Sequence, residues 1–563
     1  MTGEKVEKGM TRRRFFGNLA AGAGATGLAS TGLWGGASKV VHASSKTPIP
    51  KRVKPIAPVN PPKKWEEKAD VVVVGGGGSG LCAALRAREK GASSVIVIEA
   101  MPSMGGASKE ATVLINWGSK AQKRAGIEFN KDDILKQGIQ RSNYTVNPAL
   151  LRTLIHKGSE TVDWMEDMGI EWEVESWDEV PCGLVPKGVT EHISWLRAQK
   201  FVTDFLLKKG REKGVKFMVK TSAVALVKEG DRIVGVKADK EGEPFFLMGR
   251  KAVILAAGGM SVNREMLKKY IPMAYRGCAS CYDLPSSNGE VIRMGFGAGA
   301  DLAGINSVSV FDGGLPYYDE GKGPFYRYLY NGDIQLARQP WLYVNKCCER
   351  FMNEDPPSPG YITMAAAQIA QPGGRAYVIF DSKYEKNIWT FKSKYCERPL
   401  TPDLPGMDKW PERICPKDWR VAVEKAIKLG LIKVDPTIEG LARKLGLDSA
   451  RLKKRVEIYN KFCKEGKDPE FGKQPNYLLP VQTPPFYGIA VGAQLAATEC
   501  GLRINPDCQV VDKECEIIPG LYAAFHTAGG AVGENIAAAS LLGDCNLAYT
   551  SGYIAGENAA LKA

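Results

Sequence analysis

The sequence predicts an α/β protein, and three features near its beginning carry that prediction. Residues 70–74 form a continuous, mostly β-branched run that is typical of a strand buried inside a parallel sheet. A glycine-rich turn at 75–80 leads into a short helix with a small apolar face, 81–87, and a second apolar strand, 94–98, follows. This order of strand, turn, helix and strand predicts a parallel βαβ unit at the start of a larger domain.

The glycine turn has the spacing G-x-G-x-x-G, which is informative in this setting. Gly75 permits the tight turn, Gly77 lets a diphosphate approach the backbone, and Gly80 lets the helix pack on the strand. The diphosphate would lie at the helix N-terminus, beside Ser79, where free N–H groups attract anions. Glu99 follows Gly75 by 24 positions, near the spacing of a carboxylate that binds a ribose. We therefore expect a Rossmann-type dinucleotide-binding domain; the alternative is a glycine-rich turn without a ligand.

Two later segments favour FAD over NAD as the dinucleotide. A loop of small residues, 104–108, follows Glu99 closely and could run along the diphosphate and the flavin. Residues 221–236 and 252–259 predict a β-meander that returns to the sheet and ends in a glycine pair, which a domain that binds NAD alone does not need. In these segments the expected contacts to a non-covalently bound FAD are Gly106, Ala107, Ser108, Val224, Ala257, Gly258 and Gly259.

The positive charge of the chain is concentrated at its beginning. The formal net charge is +14, and residues 1–64 carry twelve Lys or Arg against two Glu, which leaves +4 for the rest of the 563 residues. A basic segment on a nearly neutral body argues against a nucleic-acid groove. The length exceeds what one ordinary core supports, so we expect two or more domains.

The first 43 residues resemble a twin-arginine export signal. Arg12-Arg13-Arg14 precede a weakly apolar stretch, 17–36, and a small-residue cleavage site that ends at Ala43. We expect recognition by the twin-arginine translocase, removal of residues 1–43, and a location in the periplasm or at the outer face of the cell membrane. A disordered basic tail is the alternative. Residues 44–64 are Pro-rich and basic, and they predict an extended linker.

The thirteen cysteines are an odd number and are scattered along the chain. A protein that folds in the reducing cytoplasm before export would keep most of them as thiols. Cys278 with Cys281, and the pair Cys347-Cys348, could form a redox pair or part of an iron–sulfur site, but the four-cysteine spacing of ferredoxins is absent from the sequence. Plain buried thiols are the favoured interpretation.

Together these motifs resemble the FAD-binding family of fumarate reductases, urocanate-type reductases and 3-ketosteroid dehydrogenases. The resemblance covers roughly residues 66–560, and its motifs are specific for the superfamily and not for a substrate. Besides the glycine turn, it rests on these segments: 256–259 with Asn263, Ser287-Asn288-Gly289, Leu342-Tyr343-Val344-Asn345, Arg350-Phe351-Met352-Asn353-Glu354, Pro485-Phe486-Tyr487-Gly488, 519–524 and 552–556.

The resemblance implies a split domain organisation. A Rossmann-type FAD-binding domain would be formed by 65–305 and 484–563, with an inserted α+β capping domain at 306–483 and the substrate at the domain interface. His526 interrupts the family's Ala-Gly-Glu at the flavin ribityl side and could contact FAD or be a packed histidine. The remaining cofactor contacts are expected at Asn288, Gly289, Gly530, Asn546 and Leu547.

Three departures from the family argue against a dicarboxylate substrate. The family's histidine, clamping arginine and proton-donating arginine are replaced within 496–501, 533–536 and 353–361, and a buried carboxylate without cationic partners is costly. Aromatic residues are frequent instead at the start of the cap, which suggests either an aromatic-walled pocket or ordinary cap core. They are Tyr317, Tyr318, Phe325, Tyr326, Tyr328, Tyr330, Trp341 and Tyr343.

The expected function is a flavin-dependent reduction of an activated C=C bond in an enone or enoate that is aromatic or polycyclic. Flavin would give hydride to the β-carbon while a protein acid protonates the α-carbon. By the resemblance, Tyr487 matches a substrate-side tyrosine of the family, and Tyr361 could match a second one after a short insertion. Arg338 lies near the family's proton-relay arginine, with a surface or salt-bridge arginine as the alternative, and these three residues are the catalytic candidates. Electrons would come from a separate exported cytochrome or a quinol-linked protein. The alternatives are a 3-ketosteroid-type dehydrogenase or oxidase that introduces a C=C bond, and a flavin redox carrier without turnover.

Overall fold

The β-strands form two large sheets and two small ones in the computed structural model, which describes residues 53–109, 114–177, 180–187, 201–280, 287–319, 323–327, 339–355, 361–390, 419–534 and 541–562. The strands, in chain order, are β1 Glu67–Val74, β2 Val95–Ile98, β3 Leu114–Ile115, β4 Trp172–Trp177, β5 Val180–Pro186, β6 Lys216–Met218, β7 Thr221–Glu229, β8 Arg232–Lys240, β9 Glu243–Leu255, β10 Cys278–Ser280, β11 Leu302–Ala303, β12 Val308–Asp319, β13 Gly323–Arg327, β14 Leu342–Val344, β15 Arg375–Asp381, β16 Ile432–Asp435, β17 Phe486–Thr498, β18 Gly501–Arg503, β19 Gln509–Val511, β20 Ile517–Ala523 and β21 Ala528–Gly529.

Helices cover both large sheets. The α-helices are α1 Gly78–Glu89, α2 Lys120–Arg124, α3 Lys131–Arg141, α4 Pro148–Asp167, α5 Lys208–Glu212, α6 Arg264–Tyr270, α7 Pro272–Gly277, α8 Glu290–Gly297, α9 Tyr361–Ile369, α10 Tyr384–Thr390, α11 Trp419–Lys428, α12 Ile438–Leu445, α13 Ser449–Glu465 and α14 Asp544–Leu561. Short 3₁₀ turns lie at Gly106–Lys109, Pro372–Gly374 and Pro475–Tyr477, and a π-helical segment at Phe201–Leu207. No described helix is long and apolar enough to cross a lipid bilayer.

The first sheet contains the predicted βαβ unit. Its order is β19-β20-β9-β1-β2-β6, and β1 pairs in parallel with β2 and β9. Residues 71–74 are buried because helices cover the sheet, and α1 packs closely against α14. The α/β prediction is therefore confirmed, and β7, β8 and β9 form the expected meander that returns beside β1.

The second sheet is built around β17, a strand of thirteen residues. Its order is β13-β12-β17-β15-β14, and β10 and β16 also pair with β17. Alternating residues of β14 and β15 pack into two separate hydrophobic cores, because successive side chains of a strand point to opposite faces of the sheet. Tyr343 and Val378 pack in one core, and Leu342 and Ile379 pack in the other. The sheet thus joins strands from all three predicted segments, since β10 precedes residue 306 and β17 follows residue 483.

Residues 54–59 of the predicted linker contact helix α8 and strand β7 of the first sheet. Ile56 N–H donates to the Arg293 carbonyl at 2.9 Å, and Arg293 Nε donates to the Lys54 carbonyl at 2.8 Å. Val59 forms a β-bridge with Val227 of β7. Residues 1–52, which include the predicted export signal and the start of the linker, lie outside the described residues.

Candidate functional site

A deep cleft lies at the carboxyl ends of β1 and β2, where ligands of parallel α/β sheets bind. It encloses about 1240 Å³ including its open mouth. Its walls come from the glycine turn, the start of α1, the loop 106–108, the beginning of β7, the segment after β9, the end of β17 and the start of α14. The predicted contacts Gly75, Gly77, Ser79, Glu99, Gly106, Ala107, Ser108, Ala257, Gly258, Gly259, Asn288 and His526 all line this cleft.

The three glycines of the turn have different surroundings. Gly75 has φ +107°, and a Cβ there would collide with the Ala256 carbonyl. A Cβ on Gly80 would collide with the Gly75 carbonyl, so this glycine permits the close packing of α1. Gly77 differs because a Cβ there would meet a single atom, the Gly105 carbonyl oxygen at 3.9 Å. The free space beside Gly77 is a cradle that a side chain would fill and that a diphosphate fits.

The N-terminus of α1 is suited to an anion. Its N-cap is Gly77, which provides no side-chain hydrogen bond, and the first turn has no acidic residue. The Gly78 N–H donates to Ser108 Oγ at 3.0 Å, which fixes the small-residue loop against the helix. Donors at such a helix end, together with the helix dipole, favour phosphate oxygens.

Glu99 is buried at the end of β2 and fastens the turn. Its Oε2 accepts a hydrogen bond from Gly76 N–H at 2.9 Å, and its Oε1 accepts one from Met101 N–H at 2.9 Å. Each carboxylate oxygen keeps a further lone pair, so the same group can also accept from a ribose hydroxyl. Sequence reasoning assigned the ribose contact and missed the support that Glu99 gives to the loop.

The opposite wall is held by Thr498, at the end of β17. Its Oγ1 accepts from Met260 N–H at 2.9 Å, and a Cβ on Gly259 would collide with that oxygen. Thr527 Oγ1 donates to the Gly258 carbonyl at 3.0 Å. The glycine pair therefore lets two strands of the fold approach one another beside the cofactor space.

Several predicted contacts lie outside the cleft lining. Gly80 packs under the turn, Gly289 is the left-handed N-cap of α8, and Val224 points outward with 38% of its surface exposed. Gly530 O accepts from Asn147 N–H at 3.3 Å. The last two predicted contacts, Asn546 and Leu547, are buried within α14.

Other lining residues were not predicted. Ala223 lines the cleft, whereas its neighbour Val224, which lies at a β-bulge of β7, does not. Thr221, Ser222, Thr498, Asp544 and Cys545 also line it. The threonines and serines belong to no recognisable motif, and Asp544 approaches the cleft through the tertiary fold.

Asp544 and His526 form an ion-pair geometry at the cleft, with buried Glu499 beside them. His526 Nε2 lies 3.2 Å from Asp544 Oδ1, and ligand atoms of the three side chains lie within 4.8 Å of one another. Burial, followed by the charge of Asp544, raises the pKa of Glu499 well above its ordinary value. For Asp544 burial acts in the same upward direction, but hydrogen bonds led by His526 lower its pKa below the ordinary value. These opposite shifts make Glu499 the carboxylic acid of the pair that keeps a proton more readily.

Of the three catalytic candidates, Tyr487 is the one whose side chain is described, and it does not line the cleft. Tyr487 lies at the start of β17, and the cleft residue Thr498 lies at its end. A straight strand of that length extends over about 40 Å, so these two residues are far apart. Tyr487 stacks on Phe380 with 5.3 Å between ring centroids and contacts Tyr384 edge-on. Burial, with the charge of Glu385, raises its pKa, the opposite of the lowering that would make it a stronger acid. Tyr361 begins α9, and Arg338 lies outside the described residues.

The aromatic residues and cysteines divide between core and undescribed segments. Trp341 and Tyr343 are buried in the second-sheet core, as the ordinary-core interpretation expects. Residues 317–318 and 325–326 form the β12–β13 hairpin, and residues 328 and 330 lie outside the described residues. Burial raises the pKa of Cys278 to about 12 and, with Asp448, that of Cys348 to about 11. These two are protonated thiols, and the described cysteines are free.

Comparisons with known proteins agree with this geometry. The FAD binding domain family matches residues 70–540. A vinyl phenol reductase of Lactiplantibacillus plantarum is 28% identical over 502 residues, covering 87% of this chain and 96% of the relative. A urocanate reductase of Eggerthella lenta is 28% identical over 518 residues, covering 89% and 76%. The solved 3-ketosteroid Δ1-dehydrogenase from Sterolibacterium denitrificans superposes with a TM-score of 0.67 at 21% identity, covering 88% of this chain and 100% of that chain. The predictions of family and of FAD as cofactor are confirmed.

Proposed function

Because the chain belongs to the FAD binding domain family, we propose that it reduces an activated C=C bond in an aromatic or polycyclic enone or enoate, and not fumarate. The chain is a flavin-dependent oxidoreductase, and its relatives include reductases of C=C bonds. The observation that carries the proposal is the glycine-lined cleft with the free space at Gly77 and the uncapped start of α1. The vinyl phenol reductase among its relatives supports an aromatic alkene as substrate.

The residues of the cleft fit the two halves of FAD. Gly75, Gly77 and the start of α1 would hold the diphosphate, and Glu99 would bind the adenosine ribose. Thr498 and His526 would lie toward the flavin half. Bound FAD supplies the hydride chemistry. The protein must then exclude water, polarise the substrate carbonyl and deliver a proton.

The identity of the proton donor is part of the proposal. Tyr361, Tyr487 and Arg338 are the candidates that the family motifs supply. A neutral Tyr487 hydroxyl suits the role of a hydrogen-bond donor to a carbonyl, because its raised pKa keeps the proton on the oxygen.

A substrate panel tests the function. The holoenzyme, reduced by a viologen dye, is offered 4-vinylphenol, a cinnamate, a steroid enone, urocanate and fumarate, and dye oxidation is followed. We expect turnover with the cinnamate or the steroid enone and none with fumarate. Turnover with 4-vinylphenol alone, which has no carbonyl group, would contradict an enone or enoate as the substrate. Fumarate as the best substrate would contradict the proposal. Turnover only with an oxidising dye and a saturated ketosteroid would support the reverse reaction, a dehydrogenase. No turnover in either direction would support a redox carrier.

Export and the electron donor complete the proposal. We infer that residues 1–43 direct twin-arginine export to the periplasm or the outer face of the membrane, on the basis of Arg12-Arg13-Arg14. Electrons would come from a separate cytochrome or quinol-linked protein, since the sequence has no C-x-x-C-H motif for its own haem. Replacement of Arg12 and Arg13 by lysine should retain the precursor in the cytoplasm, and N-terminal sequencing of the exported protein should begin at Ser44. Unchanged export of the lysine variant would contradict this route.

A further inference from the structure

Three side chains from separate parts of the chain meet at one end of the cleft. Glu499 directly follows β17, His526 lies in the loop between β20 and β21, and Asp544 is the first residue of α14. His526 and Asp544 line the cleft, whereas Glu499 lies behind them and is fully buried. If the glycine turn and Glu99 hold the diphosphate and the adenosine ribose, His526 and Asp544 remain to face the flavin half of FAD.

The charges of this cluster follow from its surroundings. Glu499 Oε2 accepts from Ser307 Oγ at 3.0 Å, and no described Lys or Arg forms an ion pair with Glu499 or Asp544. Ionising both of two adjacent carboxylates in a buried place is costly where no lysine or arginine pairs with them. Asp544 keeps its charge more readily because it lies in the first turn of α14, where the helix dipole favours an anion, and because Ser309 and His526 bond to it. Glu499 is then the neutral acid of the two, and it lies beside Asp544, with one ligand atom of each side chain in the cluster within 4.8 Å of the others.

The direction of the hydrogen bonds fixes the form of the imidazole. An ionised Asp544 can only accept, so the 3.2 Å contact requires a hydrogen on His526 Nε2. In the neutral ring the other nitrogen, Nδ1, then carries a lone pair. A carboxylate that bonds one ring nitrogen is a common way to set the tautomer of the other.

We propose that Asp544 orients His526 so that its Nδ1 accepts a hydrogen bond from a hydroxyl or ring N–H in the flavin half of FAD. This inference rests on the proposed FAD-dependent function and adds a positioning pair to the cofactor site. Ser307 donates to Glu499 and His526 donates to Asp544, and in this arrangement FAD donates to His526. Cys545, the next residue of the wall, faces the same space.

Binding of FAD and of ADP separates this role from general damage to the fold. ADP carries the adenosine and diphosphate and lacks the flavin half. Asp544→Asn replaces an acceptor-only carboxylate by an amide that can donate as well as accept, so it no longer fixes the imidazole tautomer, and His526→Phe keeps a ring without either nitrogen. We expect each variant to bind FAD about tenfold more weakly, which is the effect of one lost hydrogen bond of about 1.4 kcal/mol, and to bind ADP within twofold of the unmodified protein. The matched control is Asp507→Asn, whose carboxylate pairs with Lys562 away from the cleft and whose loss should change neither affinity.

A spectroscopic signature tests the orientation itself. In the ¹⁵N spectrum of the histidine-labelled holoprotein, the signals lost in the His526→Phe variant should show a protonated Nε2 and an unprotonated Nδ1. A protonated Nδ1, unchanged FAD affinity in both variants, or an equal loss of ADP and FAD affinity would overturn the inference. Failure of the unmodified protein to bind either nucleotide would instead overturn the proposed function on which the inference rests.

Discussion

The Glu99 carboxylate accepts a 2.9 Å hydrogen bond from the backbone N–H of Gly76, 23 positions earlier in the chain. The group that would bind the adenosine ribose therefore also fixes the loop that would bind the diphosphate. Ribose recognition and loop geometry depend on one side chain. Replacement of this side chain should affect both stability and FAD affinity.

Glu99→Gln should weaken FAD binding about tenfold or more and lower the free energy of unfolding by about 1–3 kcal/mol. Gln has one acceptor oxygen, so either Gly76 N–H or Met101 N–H loses its partner in a buried place. Fluorescence titration with FAD and urea unfolding of the apoprotein measure the two effects. Glu241→Gln, at an exposed carboxylate paired with Lys220, is the control. An unchanged unfolding energy for Glu99→Gln would contradict the support role.

Gly77→Ala should reduce the affinity for FAD, whereas Gly80→Ala should reduce the stability of the apoprotein. Gly77 has φ −75° and free space, so alanine should leave the unfolding energy nearly unchanged but reduce FAD affinity at least tenfold by filling the diphosphate cradle. Gly80→Ala should destabilise the apoprotein by about 1–3 kcal/mol, because its Cβ meets the Gly75 carbonyl. Thermal unfolding of both apoproteins and FAD titration of Gly77→Ala check this pair. Normal FAD affinity in Gly77→Ala would place the diphosphate elsewhere.

The sequence predicted the first part of the site because its determinants are local. Gly75, Gly77, Gly80 and Glu99 lie within one βαβ unit, where backbone sterics and spacing fix their roles. The meander was also predicted, but Val224 was chosen where Ala223 lines the cleft, since an apolar strand does not reveal its face.

The flavin end of the site could not be predicted in the same way. Glu499 and Asp544 are distant in sequence, and they meet only because the end of β17 lies beside the start of α14. Glu499 lies in the segment 496–501, where the chain departs from the family motif, so the motif could not assign it a role. The central place of β17 in the second sheet likewise follows from long-range pairing with β12 and β15, which local patterns do not encode.

Tyr487→Phe should separate packing from chemistry. The ring would keep its stacking on Phe380, with an interplanar angle of 8°, so stability should change by less than about 0.5 kcal/mol. If the hydroxyl polarises the substrate carbonyl, kcat should fall at least tenfold while FAD affinity stays constant. Tyr384→Phe, in the same aromatic cluster, is the matched control and should keep its activity. Equal activity of both variants would remove Tyr487 from the catalytic candidates.

Arg350→Met should destabilise the second-sheet region by about 3–5 kcal/mol. The fully buried guanidinium bonds Glu354 at 2.7 Å and Asp468 at 2.9 Å, and its removal leaves two buried carboxylates without this partner. Burial alone would raise the pKa of Asp468. Hydrogen bonds, first among them the one from Arg350, lower this pKa to about 2. Urea unfolding measures the loss, and Arg152→Met, at an exposed pair, should cost less than about 1 kcal/mol. A loss that small for Arg350→Met would contradict the role of this network.

The Glu499→Gln variant should be more stable than the unmodified protein above about pH 4.5, and this difference in unfolding free energy should increase with pH. The pKa of Glu499 is raised in the folded state, so the folded protein retains a proton that the unfolded chain has lost, and stability falls with increasing pH until the folded pKa is reached. Glutamine mimics the neutral acid and removes this dependence. Asp544, whose pKa is lowered, is ionised in both states in this range and does not disturb the comparison.

Urea unfolding of the apoprotein at pH 5, 7 and 8.5 measures this difference, which should grow by at most about 1.4 kcal/mol per pH unit. The exposed variant Glu241→Gln should show no such trend. A constant or decreasing advantage of Glu499→Gln would mean that Glu499 is ionised in the folded protein. A stoichiometric divalent metal ion in the purified holoprotein would lead to the same conclusion, because a bound cation would take the place of the shared proton.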